Sequence, residues 1–262
     1  RSDFPAFYDA GRILREYGGE RLYDIELQRK LDREAVTYRG ERNDLLFAYT
    51  PFFAGVFYPL SFLPIKAAFL VWALISVGLF SAGFLLVWRA AQLQNHNRLG
   101  ALAISLSFLP FLSFCLLAGQ STAFGFFFLA LAIHLDLIRK PILSGLALSL
   151  LMYKPTLLPL LVLMILVTAR WRVLAGFCLG VTILGLCSLV LVGWEGVHSY
   201  LEMLRLFSEI KAKGKHPLWL DIDIYSAALM LFRDAANWVA LAFTAFSVPF
   251  LILAWRRWPL EA

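Results

Sequence analysis

Ala67-Ala-Phe-Leu-Val-Trp-Ala-Leu-Ile-Ser-Val-Gly-Leu-Phe-Ser-Ala-Gly-Phe-Leu-Leu-Val-Trp88 runs for 22 residues without a charged side chain. About 20 such residues cross the hydrocarbon core of a bilayer as a helix. This stretch places the chain among membrane proteins, and the rest of the sequence agrees with it. Of the 262 residues, 60% are hydrophobic and 16% charged, whereas a soluble domain runs nearer 45–50% apolar. The reading is an all-α, polytopic transmembrane helical bundle, with no soluble domain, internal repeat or low-complexity tract.

The stretches that follow extend the pattern. Arg89 and Arg98 flank a short polar loop, Gln92 to Asn97. Leu99 to Leu135 then gives 37 residues without Asp, Glu, Lys or Arg. As a helix that is roughly 55 Å, enough for two crossings of a ~30 Å core. Its polar midpoint, Gly119-Gln120-Ser121-Thr122, is the predicted turn. Arg139-Lys140 marks the return. Pro141 to Ala169 has 29 residues, about 43 Å if helical, which is long for one crossing and short for two. Lys154-Pro155 sits at its centre, and we read 141–169 as a short or re-entrant hairpin. That reading puts Arg89/Arg98, Arg139/Lys140, Arg170/Arg172 and Arg256/Arg257 on one side, as the positive-inside rule favours. It also puts outside the five Lys/Arg of the loop Glu195 to Asp234, a long loop that the rule governs less strictly. Val173 to Trp194 is another span and Ala235 to Trp255 the last. The predicted layout is thus outer-loop helices over 1–44, transmembrane helices over 45–194, an outer loop over 195–234 and a transmembrane helix over 235–258.

The first 44 residues are polar by contrast. Ser2 or Asp3 can cap a helix whose first turn holds Pro5. Phe7, Ala10, Leu14 and Tyr17 then form one apolar stripe, with Asp9, Arg12, Arg15 and Glu16 on other faces. Gly18-Gly19 ends this helix, and a charged one follows from Ile25 to Ala35. The first helix either lies in the membrane interface or packs on the bundle as a plug. Leu45 to Leu60 is apolar but interrupted by Pro51 and Pro59.

Few residues in such a chain can carry chemistry. Asp3, beside a bilayer-embedded bundle, is a helix cap or a general base. Lys154 lies in an apolar segment, where a cation costs about 2.5–3.5 kcal/mol and calls for a partner. That partner is the phosphate of a lipid-linked donor or the backbone carbonyls freed by Pro155. Gln120 can bond a sugar hydroxyl or its own turn. His216 and the pair Asp221/Asp223 lie in the outer loop, where a solvated loop is the simpler reading. His134 and Asp136 mark an interface. Cys115, Cys178 and Cys187 lie in apolar runs without metal-ligand spacing and read as packing residues. No Gly-rich phosphate loop, HExxH or nucleophile elbow is present. The basic loop lacks the stacking pattern of a nucleic-acid binder. The function classes left are a transferase on lipid-linked substrates, a non-enzymatic polyprenyl-lipid transporter or flippase, and a structural subunit.

The order of short motifs favours the first, with the transporter as the alternative. Asp3-Phe4, Phe7-Tyr8-Asp9-Ala10, Gly18-Gly19 and Leu22-Tyr23-Asp24 resemble the first outer loop of glycosyltransferase family 87. The resemblance continues through Phe47-Ala48-Tyr49-Thr50-Pro51, Pro59-Leu60-Ser61-Phe62-Leu63-Pro64, Gly119-Gln120, Lys154-Pro155 and Arg170-Trp171-Arg172. It implies a GT-C fold and a fragment lacking an upstream helix. It implies a hexosyltransferase of the bacterial plasma membrane, active on the non-cytoplasmic face. The donor would be a polyprenyl-phosphate sugar, foremost mannose, and the acceptor a lipid or glycan. No separate cofactor or metal is implied. Asp3 carries over as catalytic base, and Tyr8, Arg12, Tyr49, Gln120, Lys154 and His216 are the substrate-binding candidates. The sequence departs from the family pattern in two places. Tyr49-Thr50-Pro51 stands where Tyr-Pro-Pro is common, and Asp221-Ile-Asp-Ile-Tyr-Ser226 where Asn-Gln-Ser is common.

Overall fold

A computed structural model describes residues 3–35, 46–91, 97–155, 158–212 and 224–257. The protein is an all-α polytopic bundle, with no strand among the described residues. Among the described residues, two helices are long and apolar enough to cross a membrane. One is α4, Ile65–Ala90, which contains the charge-free stretch. The other lies in α9, Trp171–Ala212, which breaks at Gly193 (φ 66°, ψ −179°). The break follows Val192 where the apolar run gives way to Trp194-Glu195, so the span ends and a second helix leaves at a new angle.

The long run after Arg98 turns where its polar midpoint predicts. Its first limb is bent by 71°, from α5 (Arg98–Leu106) into a π-helical turn, Phe111–Leu117. Pro110 lies at the bend and supplies no N–H for a continuous ladder. Gly119 then reverses the chain with φ 68°, and α6 runs back over Thr122–Leu137. Next come α7, Pro141–Ser149, a 3-10 turn at Leu150–Tyr153, and α8, Leu158–Val167. The last elements are α10, Ile224–Phe232, and α11, Ala236–Arg257.

Against this bundle packs an outer layer: α1 (Phe4–Glu16), α2 (Ile25–Ala35) and α3 (Pro51–Phe57), with a 3-10 turn at Pro59–Phe62. Of the two alternatives for α1, the structure shows the plug. Phe4, Phe7, Ala10 and Ile13 are at most 1% exposed. The Phe7 ring stacks on Phe57 at 5.0 Å and meets Phe53 edge-on at 5.8 Å. Phe57 in turn lies 4.6 Å from Trp72 of α4. The helices approach so closely that a methyl group at Gly11 would strike the Phe57 carbonyl. Arg15 donates to the Ser61 carbonyl and covers the Phe62 ring at 4.9 Å.

The observed stripe differs from the expected one. Leu14 and Tyr17 are only partly buried, while Phe4 and Ile13 join the inner face. The larger correction is Asp9. It lies on the inner side at 3% exposure, and neither carboxylate oxygen has a hydrogen-bond partner among the described residues. Helical periodicity counts a single α1 face, but α2 closes over a second one, and Asp9 falls under it. Burial pushes its pKa up to about 7 from 3.8; the Arg12 guanidinium pulls the other way, and Asp32, Glu34 and Glu16 add to the rise.

A carboxyl whose folded pKa lies above its unfolded value favours the fold only while protonated. This contribution is full below about pH 4, declines as the pH rises, and is lost above about pH 7. Replacing Asp9 by Asn should therefore remove a component of the pH dependence of the melting temperature between about pH 4 and 8. At the alkaline end the variant should be the more stable, by up to a few kcal/mol. Parallel pH profiles for the two proteins would show that Asp9 does not titrate in this window.

Candidate active site

The site is built where α1 begins. Asp3 precedes the helix at φ −86°, ψ −14°, and its side chain makes no capping bond. The cap comes from another element instead. The Ala118 carbonyl accepts from the N–H of Asp3 at 2.7 Å and from that of Phe4 at 3.2 Å. The carboxylate is thereby released from its usual duty. It turns to the next polar group along the loop: Gln120 Nε2 donates to Asp3 Oδ2 at 2.9 Å. Oδ1 has no hydrogen-bond partner among the described residues, and both side chains are half-buried.

The turn that holds Gln120 is fixed from three directions. Trp72 Nε1 donates to the Gly119 carbonyl at 3.0 Å. The Gln120 N–H donates to the Phe114 carbonyl at 3.1 Å. A Cβ at Gly119 would lie 2.7 Å from Cβ of Phe4. Positive φ and close approach together require glycine at this position.

Tyr49 joins the pair. Its phenol lies close enough to Asp3 to feel its charge. Its ring stacks parallel to Tyr153 at 6.0 Å. Tyr153 in turn directs its hydroxyl at the Ser121 carbonyl, 3.4 Å away. The segment that carries Tyr49 is pinned by α2 and the turn before it. Tyr23 donates to the Tyr49 carbonyl at 2.6 Å, and the Gln28 side chain accepts from the Phe47 N–H at 2.7 Å.

Lys154 follows Tyr153 directly, and so stands at the same end of the bundle as Gln120. It is exposed. Its own N–H bonds the Leu151 carbonyl at 3.1 Å, and its ammonium has no carboxylate partner among the described residues.

Two candidates are engaged elsewhere. Tyr8 donates its hydroxyl to the Leu63 carbonyl at 2.8 Å, which anchors α1 rather than facing Asp3. Arg12 pairs with Glu16 at 2.8 Å and with Glu34 at 3.4 Å. Nine residues of helix put it on the opposite face from Asp3 and about 13 Å along the axis. His216, Asp221 and Asp223 lie outside the described residues.

Several participants escaped the sequence reading: Trp72, Ser121, Tyr153 and the cap from Ala118. The available signal was Trp72, an indole N–H seven residues into a span, where it must find an acceptor.

The family model of glycosyltransferase family 87 matches residues 47–262. The chain belongs to glycosyltransferase family 87. It is therefore a membrane glycosyltransferase, with a sugar donor and an acceptor as its substrates. The family match takes in Tyr49, Gln120 and Lys154 and begins after Asp3; packing brings Asp3 onto the matched segment at Gln120. Neither the search of curated proteins nor that of solved structures returned a match.

Replacing Gly119 by Ala should strain the turn and push it from Phe4. The expected cost is about 1–3 kcal/mol, read as a lower melting temperature of the purified protein. An unchanged melting temperature would show that α1 is not seated on this turn.

Proposed function

We propose that the protein transfers a hexose, foremost mannose, from a polyprenyl-phosphate donor to a hydroxyl of a lipid or glycan acceptor, with inversion. The observation that carries this reading is the Asp3–Gln120 pair, recessed below the start of α4. Trp72, which holds the Gly119 carbonyl, comes seven residues after Ile65, about 10 Å along the helix. A carboxylate and an amide at that depth suit a substrate whose lipid tail remains in the bilayer. Its sugar then reaches the site laterally, beneath the outer layer.

In this mechanism the free oxygen of Asp3 accepts the proton of the acceptor hydroxyl as that oxygen attacks the anomeric carbon. The bond from the anomeric carbon to the phosphate oxygen breaks on the opposite face. The lipid phosphate leaves with its charge, so no second carboxylic acid has to protonate it. Lys154, exposed at this end of the bundle, can neutralise that phosphate. Gln120 holds Asp3 in one rotamer through Oδ2 and leaves Oδ1 for the proton. Tyr49, half-buried and backed by the buried Tyr153 ring, lies next to this pair. A site on the non-cytoplasmic face of the plasma membrane follows from the charge layout, in which the basic clusters lie at the other end.

The test is substitution in the full-length protein with polyprenyl-phosphate mannose as donor. Asp3→Asn should lower transfer by about 10²–10⁴-fold with expression and melting behaviour preserved. Gln120→Ala should cost about 10- to 100-fold, the loss of one hydrogen bond to a charged group. Transfer retained by Asp3→Asn removes Asp3 from the mechanism. Donor label that crosses the bilayer without a new glycosidic product would point to a transporter.

A further inference from the structure

A second polar site lies at the far end of the same helix. α6 starts beside Gln120 and ends at Leu137, a helix of 16 residues, about 24 Å long. There a cavity of about 500 Å³ opens between the ends of four helices, with Asp136, Arg139, Pro141, Arg170, Trp171 and Arg172 among its lining residues. Three arginines thus share the lining with one aspartate. Arg170 forms an ion pair with Asp136. Arg139 and Arg172 are exposed and have no carboxylate partner among the described residues.

Two like turns build this cavity. α6 ends with the Lys140 N–H on the Leu135 carbonyl (2.8 Å) and the Arg139 N–H on the Asp136 carbonyl (3.0 Å). α8 ends the same way, with the Arg170 N–H on the Ile165 carbonyl (3.1 Å) and the Ala169 N–H on the Leu166 carbonyl (3.0 Å). Both turns pass through the left-handed region without glycine, at Arg139 (φ 59°) and Ala169 (φ 53°). They stand side by side because α7 and α9, which leave them, pack backbone to backbone. A methyl group at Gly145 would meet the Val173 carbonyl, and one at Gly176 the Ile142 carbonyl. The arginines are thus presented from two rigid turns.

The apolar side chains decide the ligand class. Trp171 lines the cavity at 63% exposure, and Ile142, Leu143 and Leu166, each within three residues of a lining residue in sequence, are 41%, 46% and 44% exposed. A soluble anion has no use for these side chains. A phospholipid does: its phosphate meets the guanidiniums, and an acyl chain follows the apolar side chains into the bilayer. Basic pockets between membrane helices take anionic headgroups in this way. We propose that this cavity is a binding site for the phosphate headgroup of an anionic membrane phospholipid, at the end of the bundle opposite Asp3. The site is independent of the transfer reaction proposed above.

Native mass spectrometry of the full-length protein in detergent tests it, with phosphatidylglycerol, phosphatidylcholine and inorganic phosphate as separate probes. The variant is R139Q/R172Q. The control is R89Q/R98Q, which removes the same charge from exposed positions away from the cavity. Phosphatidylglycerol should bind at least tenfold more tightly than phosphatidylcholine. R139Q/R172Q should weaken it about 10- to 30-fold, and the control less than about threefold. If the double variant does not fold, R172Q alone carries the comparison, with a loss of about fivefold. Equal affinity for the two lipids, or a cavity variant no weaker than the control, overturns the proposal. Inorganic phosphate that displaces the lipid at equal concentration also overturns it, since the site would then serve a soluble anion.

Discussion

The outer layer of this protein depends on one substitution of partners at the start of α1. A helix leaves its first N–H groups without intrahelical acceptors, and a side-chain oxygen at the N-cap usually serves one of them. Here the Ala118 carbonyl accepts from Asp3 and Phe4 instead. The consequence is chemical as well as structural. A carboxylate that capped its own helix would have an oxygen committed. Relieved of that duty, Asp3 reaches Gln120 with one oxygen and keeps the other. The same contact brings Phe4 onto Gly119 and seats the aromatic face of α1 on Phe53 and Phe57. The position of the carboxylate and the packing of the plug are therefore one event. Cap and base were alternative readings of Asp3, and the cap from Ala118 separates them.

The elements governed by bilayer thickness were legible in the sequence. A charge-free run of 22 residues has to span. A run of 37 has to turn, and it turns at its only cluster of polar side chains. That same argument put Gln120 at a loop tip, from which it can meet another element. Long-range pairing was not legible. Asp9 and Arg12 are three residues apart and alike in polarity, yet one is sealed under α2 while the other pairs with Glu16 and Glu34. What separates them is the position of α2, and no periodicity within α1 contains that information. Tyr8 is engaged away from Asp3 for a related reason. Its value to the fold lies in the Leu63 carbonyl, 55 residues away, and a motif match does not distinguish an anchoring hydroxyl from a binding one.

Depth ties the two ends of the molecule together. α6 spans about 24 Å, less than the ~30 Å core it belongs to. With its basic end, Arg139-Lys140, held at one membrane surface, its other end must stop short of the opposite surface. Trp72 gives the same result independently from α4, about 10 Å beyond its first residue. The polar pair is therefore recessed because a short helix is suspended from a charged end. Whatever fixes that end relative to the bilayer fixes the depth of Asp3, and with it which part of a lipid-anchored substrate lies level with the carboxylate. For the lipid-linked donor proposed above, helix length would thus do the positioning that a binding loop does in a soluble enzyme.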